Sequence, residues 1–322
     1  MKPSFLPQIS HNGAMKDDPG ESSVISALTD SAALPAWVLH GPGDDAAILE
    51  NGQVLTTDLM VEDVHFDSRI SPEDLAWKLL AVNASDVAAC GARSSWALLS
   101  IALPEPLDND WVNRFSQAFK SHLATLKIAL IGGDTTRSPK RKMLNLCLCG
   151  QLESAPLLRS SASPNEDVWV SGTLGDASAG FSGMSPELTR RWHRPEPPLE
   201  LGPALASREL ASAAMDLSDG LLQDLEKLCK ASRIGAKINP LLLPSSPALK
   251  ATGDALLGHQ VAFGEDYQLL FTASPQHREA IAILGSDLGL LLTRIGTTLV
   301  DETIELPGSE TLEGWSHFGG PQ

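Results

Sequence analysis

The sequence predicts two domains, each mixing strands and helices in an α/β or α+β arrangement. Three observations carry this. The chain has 322 residues, which at roughly 150 residues per domain suggests two. Apolar residues make up 43%, enough to form a core in each. Strand and helix patterns occur in both halves, on either side of a Ser-, Pro- and Ala-rich stretch around residues 152–167. The expected division is 1–152 and 153–322.

The elements follow in order. Residues 1–36 are polar and turn-rich, with a helical hint at Val24–Leu28. Strands are expected at Ala46–Leu49 and Gln53–Thr57. A helix then starts at Pro72, with Ser71 as N-cap and Glu73 and Asp74 in its first turn. It runs through LAWKLLAVNASDVAAC and stops at Gly91, a natural residue after a helix end. Residues 96–103 read as a buried strand ended by Pro104. Asp110–Leu126 is helical, Ile128–Ile131 is a strand entering GGD, and Met143–Leu152 is another strand. The second half restarts with Val168–Ser171, a Gly-rich turn and a helix. Segment 184–203, rich in Pro and Arg, is expected to be a loop. Helices are expected near Ala204–Ala214 and Leu221–Ala231, and GEDYQLLFT leads into a strand.

Composition excludes several classes. The formal net charge of −16 leaves no basic footprint for nucleic-acid phosphates. No apolar run approaches the ~20 residues of a membrane helix. The N-terminus lacks a continuous apolar segment, so no secretory signal is expected. Cys90, Cys147, Cys149 and Cys229 form no CxxC pair. Cys147 and Cys149 share one face of a strand and read as buried free thiols, which fits a reducing cytoplasm.

Five segments place an acid beside a glycine at an element boundary: GPGDDAA (41–47), IGGDTT (131–136), LGDASAG (174–180), DLSDG (216–220) and FGEDY (263–267). Turn chemistry explains any one alone. The set points to a shared site for a metal or an anionic ligand, because glycine allows close backbone approach and the acids supply oxygen donors. No Cys/His cluster at zinc spacing accompanies them, so the donors suit a hard cation such as Mg²⁺, which bridges carboxylates to phosphates. Thr56, Thr57 and Asp58 close a strand in TTDLMVEDVHF, with His65 nearby. Asp86 follows Leu75, Leu79 and Val82 on the apolar stripe of its helix, where a carboxylate needs a cation or donors. Asn83 shares that face and could orient it. Ser218 or Asp219 would cap the helix after DLSDG, whose N-terminus also favours a phosphate.

Competing signatures are absent. There is no GxxxxGK[ST], no HRD or DFG set, no GxSxG and no HExxH. GPGDDA formally matches GxGxxA, but Asp44 and Asp45 would face a pyrophosphate unscreened.

In order, GPGDDAAIL, TTDLMVEDVHF, LAVNASDVAACGA, IGGDTT, SGTLGDASAG, RPEP, MDLSDGL, GEDYQLLFT and GWSHF resemble the thiamine-monophosphate kinase family from residue 41 to residue 318. Related families share only parts of the set: aminoimidazole-ribonucleotide synthetase, the hydrogenase-maturation dehydratase and selenophosphate synthetase. The last carries a reactive Cys or selenocysteine in a glycine-rich N-terminal stretch, and no Cys precedes Cys90 here.

The resemblance implies a two-domain aminoimidazole-ribonucleotide synthetase-like fold. In it the N-terminal strands of two subunits form a dimeric β-barrel and the C-terminal domain is α+β. It implies a cytoplasmic homodimer that phosphorylates thiamine monophosphate with ATP, the last step of thiamine diphosphate biosynthesis. Transfer is direct and in line, assisted by several Mg²⁺ ions, with neither nucleic acid nor membrane involved. By motif, Asp45, Thr56, Thr57, Asp58, Asp86, Asp134, Asp216 and Asp219 would hold Mg²⁺. Asp58, Asp86 and Asp134 would be the acids central to transfer. Gly133, Arg159 and Ser218 would contact ATP, and His65, Glu265 and Trp315 the thiamine monophosphate. A flat Trp315 suits a cationic thiazolium.

Some positions depart from the family pattern. Asp63 stands where Gly is usual, and Phe263 and Gln268 replace the ends of GGEDYE. Trp192, His193 and Pro198 replace His, Leu and Arg. Phe263 beside Glu265 bears on substrate selectivity. The readings kept open are a related enzyme with another phosphorylated or carboxylated substrate, and a non-catalytic metal- or nucleotide-binding protein.

Overall fold

A computed structural model describes residues 21–29, 33–253 and 256–312. Helix α1 (Glu21–Thr29) belongs to an N-terminal segment separate from the compact body that begins at Leu34.

The first sheet of the body contains β1 (Val38–His40), β2 (Ala47–Leu49), β3 (Gln53–Val61), β4 (Ala92–Leu103), β5 (Ala129–Arg137) and β6 (Met143–Leu152). Their order is β1-β2-β3-β6-β4-β5, antiparallel except for the β4–β5 pair. Helices α2 (Pro72–Ala89) and α3 (Asn109–Leu126) cover one face. Ser71 Oγ accepts the Asp74 N–H, Pro72 opens α2, and Gly91 follows it at φ 81°, so the sequence signals at both ends of this helix act as read. Asp108 caps α3 in the same way. Leu75, Leu79, Phe115, Phe119, Leu144, Leu146 and Leu148 fill the layer between sheet and helices.

The second sheet contains β7 (Asp167–Ser171), β8 (Ala213–Asp216), β9 (Gly235–Ile238), β10 (Leu269–Ala273), β11 (Leu292–Leu299) and β12 (Ile304–Glu305), in the order β12-β9-β11-β7-β10-β8. One face packs on α7 (Leu221–Ser232). The other packs on α6 (Leu201–Ser207) and α10 (Arg278–Leu288). Helices α4 (Asp176–Phe181), α5 (Pro186–His193), α8 (Pro247–Lys250) and α9 (Leu256–Val261) pack on one another, with α9 also against α7 and α5 against α2. Alternation along β7 and β10 places Val168, Val170 and Leu270 on the first face, and Trp169 and Phe271 on the second.

Helix α2 joins the two halves. It lies against α6 and β8 as well as its own sheet. Gly202 makes the approach to α6 possible, because a Cβ there would sit 1.7 Å from the Ala88 carbonyl oxygen. Gly202→Ala should therefore force α6 away from α2. We expect a loss of about 2–3 kcal/mol and a fall in Tm of roughly 5 °C, measured by thermal denaturation.

Three expectations are corrected. Segment 184–203 is not a loop throughout: Ser185 caps α5, Pro186 opens it, and Leu188 and Trp192 bury its inner face. The stretch expected to be helical at Ala204–Ala214 ends at Ser207 and gives way to β8, whose four residues are wholly buried in the sheet. IGGDTT is not a turn after a strand. It lies inside β5, paired along β4 from Gly132 opposite Leu98 to Thr136 opposite Ala102. In one chain the first sheet is open, with β1 and β5 as its edges.

Candidate active site

Four elements converge on a group of acids. The loop after β1 presents Asp44 and Asp45, β3 presents Thr56 and Asp58, α2 presents Asp86, and the end of β8 presents Asp216. Carboxylate oxygens of Asp45, Asp86 and Asp216 lie within 4.8 Å of one another. Asp86 Oδ2 accepts the Thr56 hydroxyl at 2.6 Å. Asp45 Oδ1 accepts the Arg159 guanidinium, and Asp44 Oδ2 accepts the Arg159 backbone N–H at 3.2 Å, which ties the glycine-rich loop to residue 159. Asp219 follows Asp216 by one turn of chain and bears electrostatically on Asp58.

Electrostatics at this site are unfavourable without a cation. Burial pushes the Asp45 carboxyl up to about 6 despite the opposing pull of Arg159. Burial, then the Asp219 charge, pushes Asp58 up to about 6. Asp86 and Asp216 are driven above the usual carboxylate range by burial and by neighbouring acids. Two oxygens, Asp45 Oδ2 and Asp216 Oδ2, are buried without a hydrogen-bond partner. Three desolvated carboxylates with oxygens within 4.8 Å of one another, two of them with an unpartnered oxygen, form an all-oxygen donor set that fits a hard divalent cation such as Mg²⁺.

A pH dependence follows. Asp45 and Asp58 take up protons on folding, because their folded values of about 6 exceed the ordinary 3.8. Between those values the folded state binds more protons than the unfolded one, so stability falls as pH rises. In EDTA, Tm should drop by roughly 5 °C between pH 4.5 and pH 7. Added Mg²⁺ should flatten or reverse that slope, since binding requires the deprotonated carboxylates. Melting curves across this range with EDTA or Mg²⁺ check both statements.

The helix after DLSDG is not capped by Ser218 or Asp219. Gly220 holds the N-cap position, and the buried Asp224 reaches back so that its Oδ2 accepts the Asp219 and Gly220 N–H groups, both at 3.0 Å. Lys227 donates to Asp224 at 2.8 Å and to Asp219. Asn83 does not orient Asp86 either: its Oδ1 accepts the Asp58 N–H at 3.1 Å and its Nδ2 donates to the Leu79 carbonyl.

A second group adjoins the acids. Glu265 sits in the loop before β10 at φ 64°, pressed against the 218 backbone, whose carbonyl accepts the Glu265 N–H at 2.9 Å. Only glycine fits at 264, where a Cβ would lie 1.8 Å from that carbonyl oxygen. Glu265 Oε2 accepts from Lys78 Nζ at 2.9 Å, and Lys78 also donates to the His65 carbonyl at 3.3 Å. One buried lysine thus links the two described residues expected to contact the substrate. His65 Nδ1 accepts the Val61 N–H. The Tyr267 hydroxyl is pushed up by burial, and the charges of Glu265, Asp58, Asp216 and Asp86 push it the same way.

Gly133, Asp134 and Thr57 stand apart. Asp58 pairs with Leu146, Leu146 with Leu99, and Leu99 with Gly133, three strand spacings or about 14 Å across the sheet. Asp134 pairs with Ser100, which is paired with Asn145, on the face opposite the helices. Thr57 shares that face and accepts the Asn145 amide at 2.8 Å. Asp176 and Asp266 also lie outside the acid group: Asp176 accepts from Thr173 and Ser246, and Asp266 accepts the Gly175 and Ala177 N–H groups at the start of α4. Trp315 lies outside the described residues.

Sequence reading missed Lys78, Asp224 and Lys227, and noted Trp192 only as a departure from the family pattern. Lys78 was legible, since it lies three residues after Leu75 and four before Val82, on the apolar stripe. The others become visible only in three dimensions.

Comparison with known proteins agrees with this geometry. Residues 43–152 match the family model of the AIR synthase related protein N-terminal domain. The thiamine-monophosphate kinase of Salmonella typhimurium is 37% identical over 94% of this chain and 99% of its own length. That of Aquifex aeolicus is 33% identical over 86% and 92%. A solved structure of AaThiL complexed with AMPPCP and TMP superimposes with a TM-score of 0.82 at 31% identity, covering 98% of this chain and all of that one. The Stenotrophomonas maltophilia K279a thiamine-monophosphate kinase gives 0.74 at 36% identity, over 88% and 95%. With the fold, the acid group and these relatives in agreement, the chain belongs to the thiamine-monophosphate kinase family.

Proposed function

We propose that this chain is a kinase that transfers the γ-phosphoryl group of ATP to the phosphate of thiamine monophosphate, giving ADP and thiamine diphosphate. The observation that carries the reading is the buried Asp45–Asp86–Asp216 group with its two unpartnered oxygens, with Arg159 paired to Asp45. In direct transfer the attacking group is the substrate's phosphate oxygen, and the carboxylates serve as metal ligands rather than as nucleophiles. The relatives bear this activity in their names, and one was solved with AMPPCP and TMP.

Asp45, Asp86 and Asp216, with Thr56, Asp58 and Asp219 beside them, would hold Mg²⁺, which when bound neutralises charge shared between two polyanions. Arg159 is held in place by Asp45 and would turn its charge to the nucleotide phosphates, next to Ser218. Glu265 and His65, with Trp315, would fix the thiamine part. The enzyme would work in the cytoplasm, in keeping with four unpaired cysteines. No described helix is long and apolar enough to cross a membrane.

The working form we propose is a homodimer in which the first sheets of two copies close a barrel. The sheet face opposite α2 and α3 carries exposed Leu59, Leu98 and Met143, and β5 is exposed along its whole length. A second copy would cover this apolar surface and the open β5 edge. It would also supply the setting in which Gly133, Asp134 and Thr57 act. Asp134 then joins the metal ligands, and Gly133 contacts ATP, through the assembly rather than within one chain.

The deciding experiment follows thiamine diphosphate and ADP by chromatography after incubation with ATP, Mg²⁺ and thiamine monophosphate. EDTA and unphosphorylated thiamine serve as controls. We expect metal-dependent product with ADP in equal amount. ATP binding without product would overturn the substrate assignment and direct attention to other phosphorylated compounds.

A further inference from the structure

We propose that Lys78 and Trp192 are positioning residues that lock one oxygen of the Glu265 carboxylate and leave the other for the substrate's organic part. The inference rests on the reading that Glu265 contacts thiamine monophosphate. Lys78 is fully buried, with 0% exposure, an environment a lysine occupies only when its charge is matched. Its ammonium has three neighbours: Glu265 Oε2 at 2.9 Å, the His65 carbonyl at 3.3 Å and the Trp192 ring at 4.9 Å. Trp192 is also buried, and its indole N–H donates to the same Glu265 Oε2. Two donors, one of them charged, therefore saturate one oxygen of this carboxylate.

The indole is itself held. The Arg69 guanidinium lies 4.8 Å from its ring centre, and Phe181 meets it edge-on at 5.3 Å. Phe181 in turn stacks on Phe263 at 5.3 Å. Trp192 and Phe263 thus meet in one cluster through Phe181. Glu265 also lines a pocket of about 270 Å³ with Asp176, Glu196, Asp266 and Gln268. Arg191 also lines it and pairs with Glu196 at 2.6 Å, while Asp176, Asp266 and Gln268 accept from protein donors, so Glu265 offers there an oxygen that accepts no bond from the described residues. A carboxylate with one oxygen immobilised and one left for a ligand loses little freedom on binding.

The experiment combines Trp192→Phe, which keeps a ring against Phe181 and removes the N–H, with Glu265→Gln and the double variant. Trp192→Phe should raise KM for thiamine monophosphate about tenfold, with kcat and KM for ATP changed less than about twofold. Added to Glu265→Gln, it should raise KM by less than about twofold more, because it acts through Glu265. Lys78→Met should raise the same KM at least as far, and Lys78→Gln, which keeps a neutral donor, should recover part of the loss. Thermal melts identify any variant that loses its fold, and the Lys78 pair then decides in place of Trp192→Phe. A raised KM in Glu265→Gln with an unchanged KM in Trp192→Phe and Lys78→Met overturns this inference alone. Independent, multiplying effects of Trp192→Phe and Glu265→Gln do the same. An unchanged KM in Glu265→Gln overturns the reading of Glu265 and this inference with it.

Discussion

Asp216→Asn should cut kcat/KM by on the order of 10³-fold or more and, at the same time, raise the melting temperature of the metal-free protein. The two effects have one cause. Asp216 is 2% exposed at the end of β8, with Asp45 and Asp86 oxygens within 4.8 Å and one of its own oxygens unpartnered. Burial and the neighbouring acids raise its carboxyl above the usual range, outweighing the Ser85 hydrogen bond and the Arg159 charge, which favour its ionised form. In the absence of a cation, folding brings three desolvated acids together, at a cost in repulsion or in proton uptake. An amide of nearly the same shape keeps a hydrogen-bonding partner for Ser85 and removes one of the three charges. We expect Tm in EDTA to rise by roughly 5 °C. The same substitution removes a donor that would hold Mg²⁺, so the rise in Tm that Mg²⁺ gives the unmodified protein should largely vanish.

Steady-state kinetics and melting curves with EDTA or Mg²⁺ test both halves. Near-normal turnover would remove Asp216 from the site. Lost turnover without a rise in metal-free Tm would mean that repulsion does not govern this group, and that Asp216 supports the fold in another way. Stability and activity are expected to move in opposite directions here because the site stores unfavourable electrostatics that a bound cation relieves.

Much of this was legible because it depends on local rules. Ser71, Pro72 and Gly91 mark both ends of α2, since capping and left-handed geometry are properties of a few adjacent residues. Asp86 was recognisable because a carboxylate on an apolar stripe must have a partner, which proved to be the Thr56 hydroxyl. What failed depended on tertiary structure. The Pro- and Arg-rich composition of 184–203 suggested a loop, yet Leu188 and Trp192 bury well enough to hold α5. Ala211, Ala213 and Ala214 have high helix propensity, but sheet pairing with β10 overrides it from Ala213 onward. The family resemblance grouped Asp134 with Asp58. Only strand order and register reveal that they lie on opposite faces and about 14 Å apart.

That separation leads to the second large effect. Asp134→Asn and Asp216→Asn should each be inactive alone, yet mixing them under conditions of subunit exchange should restore activity. Asp134 is exposed on β5 and cannot join Asp45, Asp86 and Asp216 from across its own sheet. If it acts on the site of a second copy, a mixed dimer contains one site with both defects and one with neither. Random exchange makes half of the dimers mixed, and each of these has one working site of two, so about a quarter of the unmodified activity should return. If Asp134 instead serves its own chain, every site in a mixed dimer keeps one defect and mixing restores nothing. Dilution distinguishes the case further, because recovered activity should decline as dimers dissociate. A charge on the exposed apolar face, Leu98→Glu, should weaken the dimer and abolish recovery, since the sheet face carrying Leu59, Leu98 and Met143 would no longer be suited to burial. Chromatographic mass measurement alongside the kinetics separates loss of assembly from loss of chemistry. Full activity in a strictly monomeric Leu98→Glu protein would refute the shared site, whatever the mixing experiment gives.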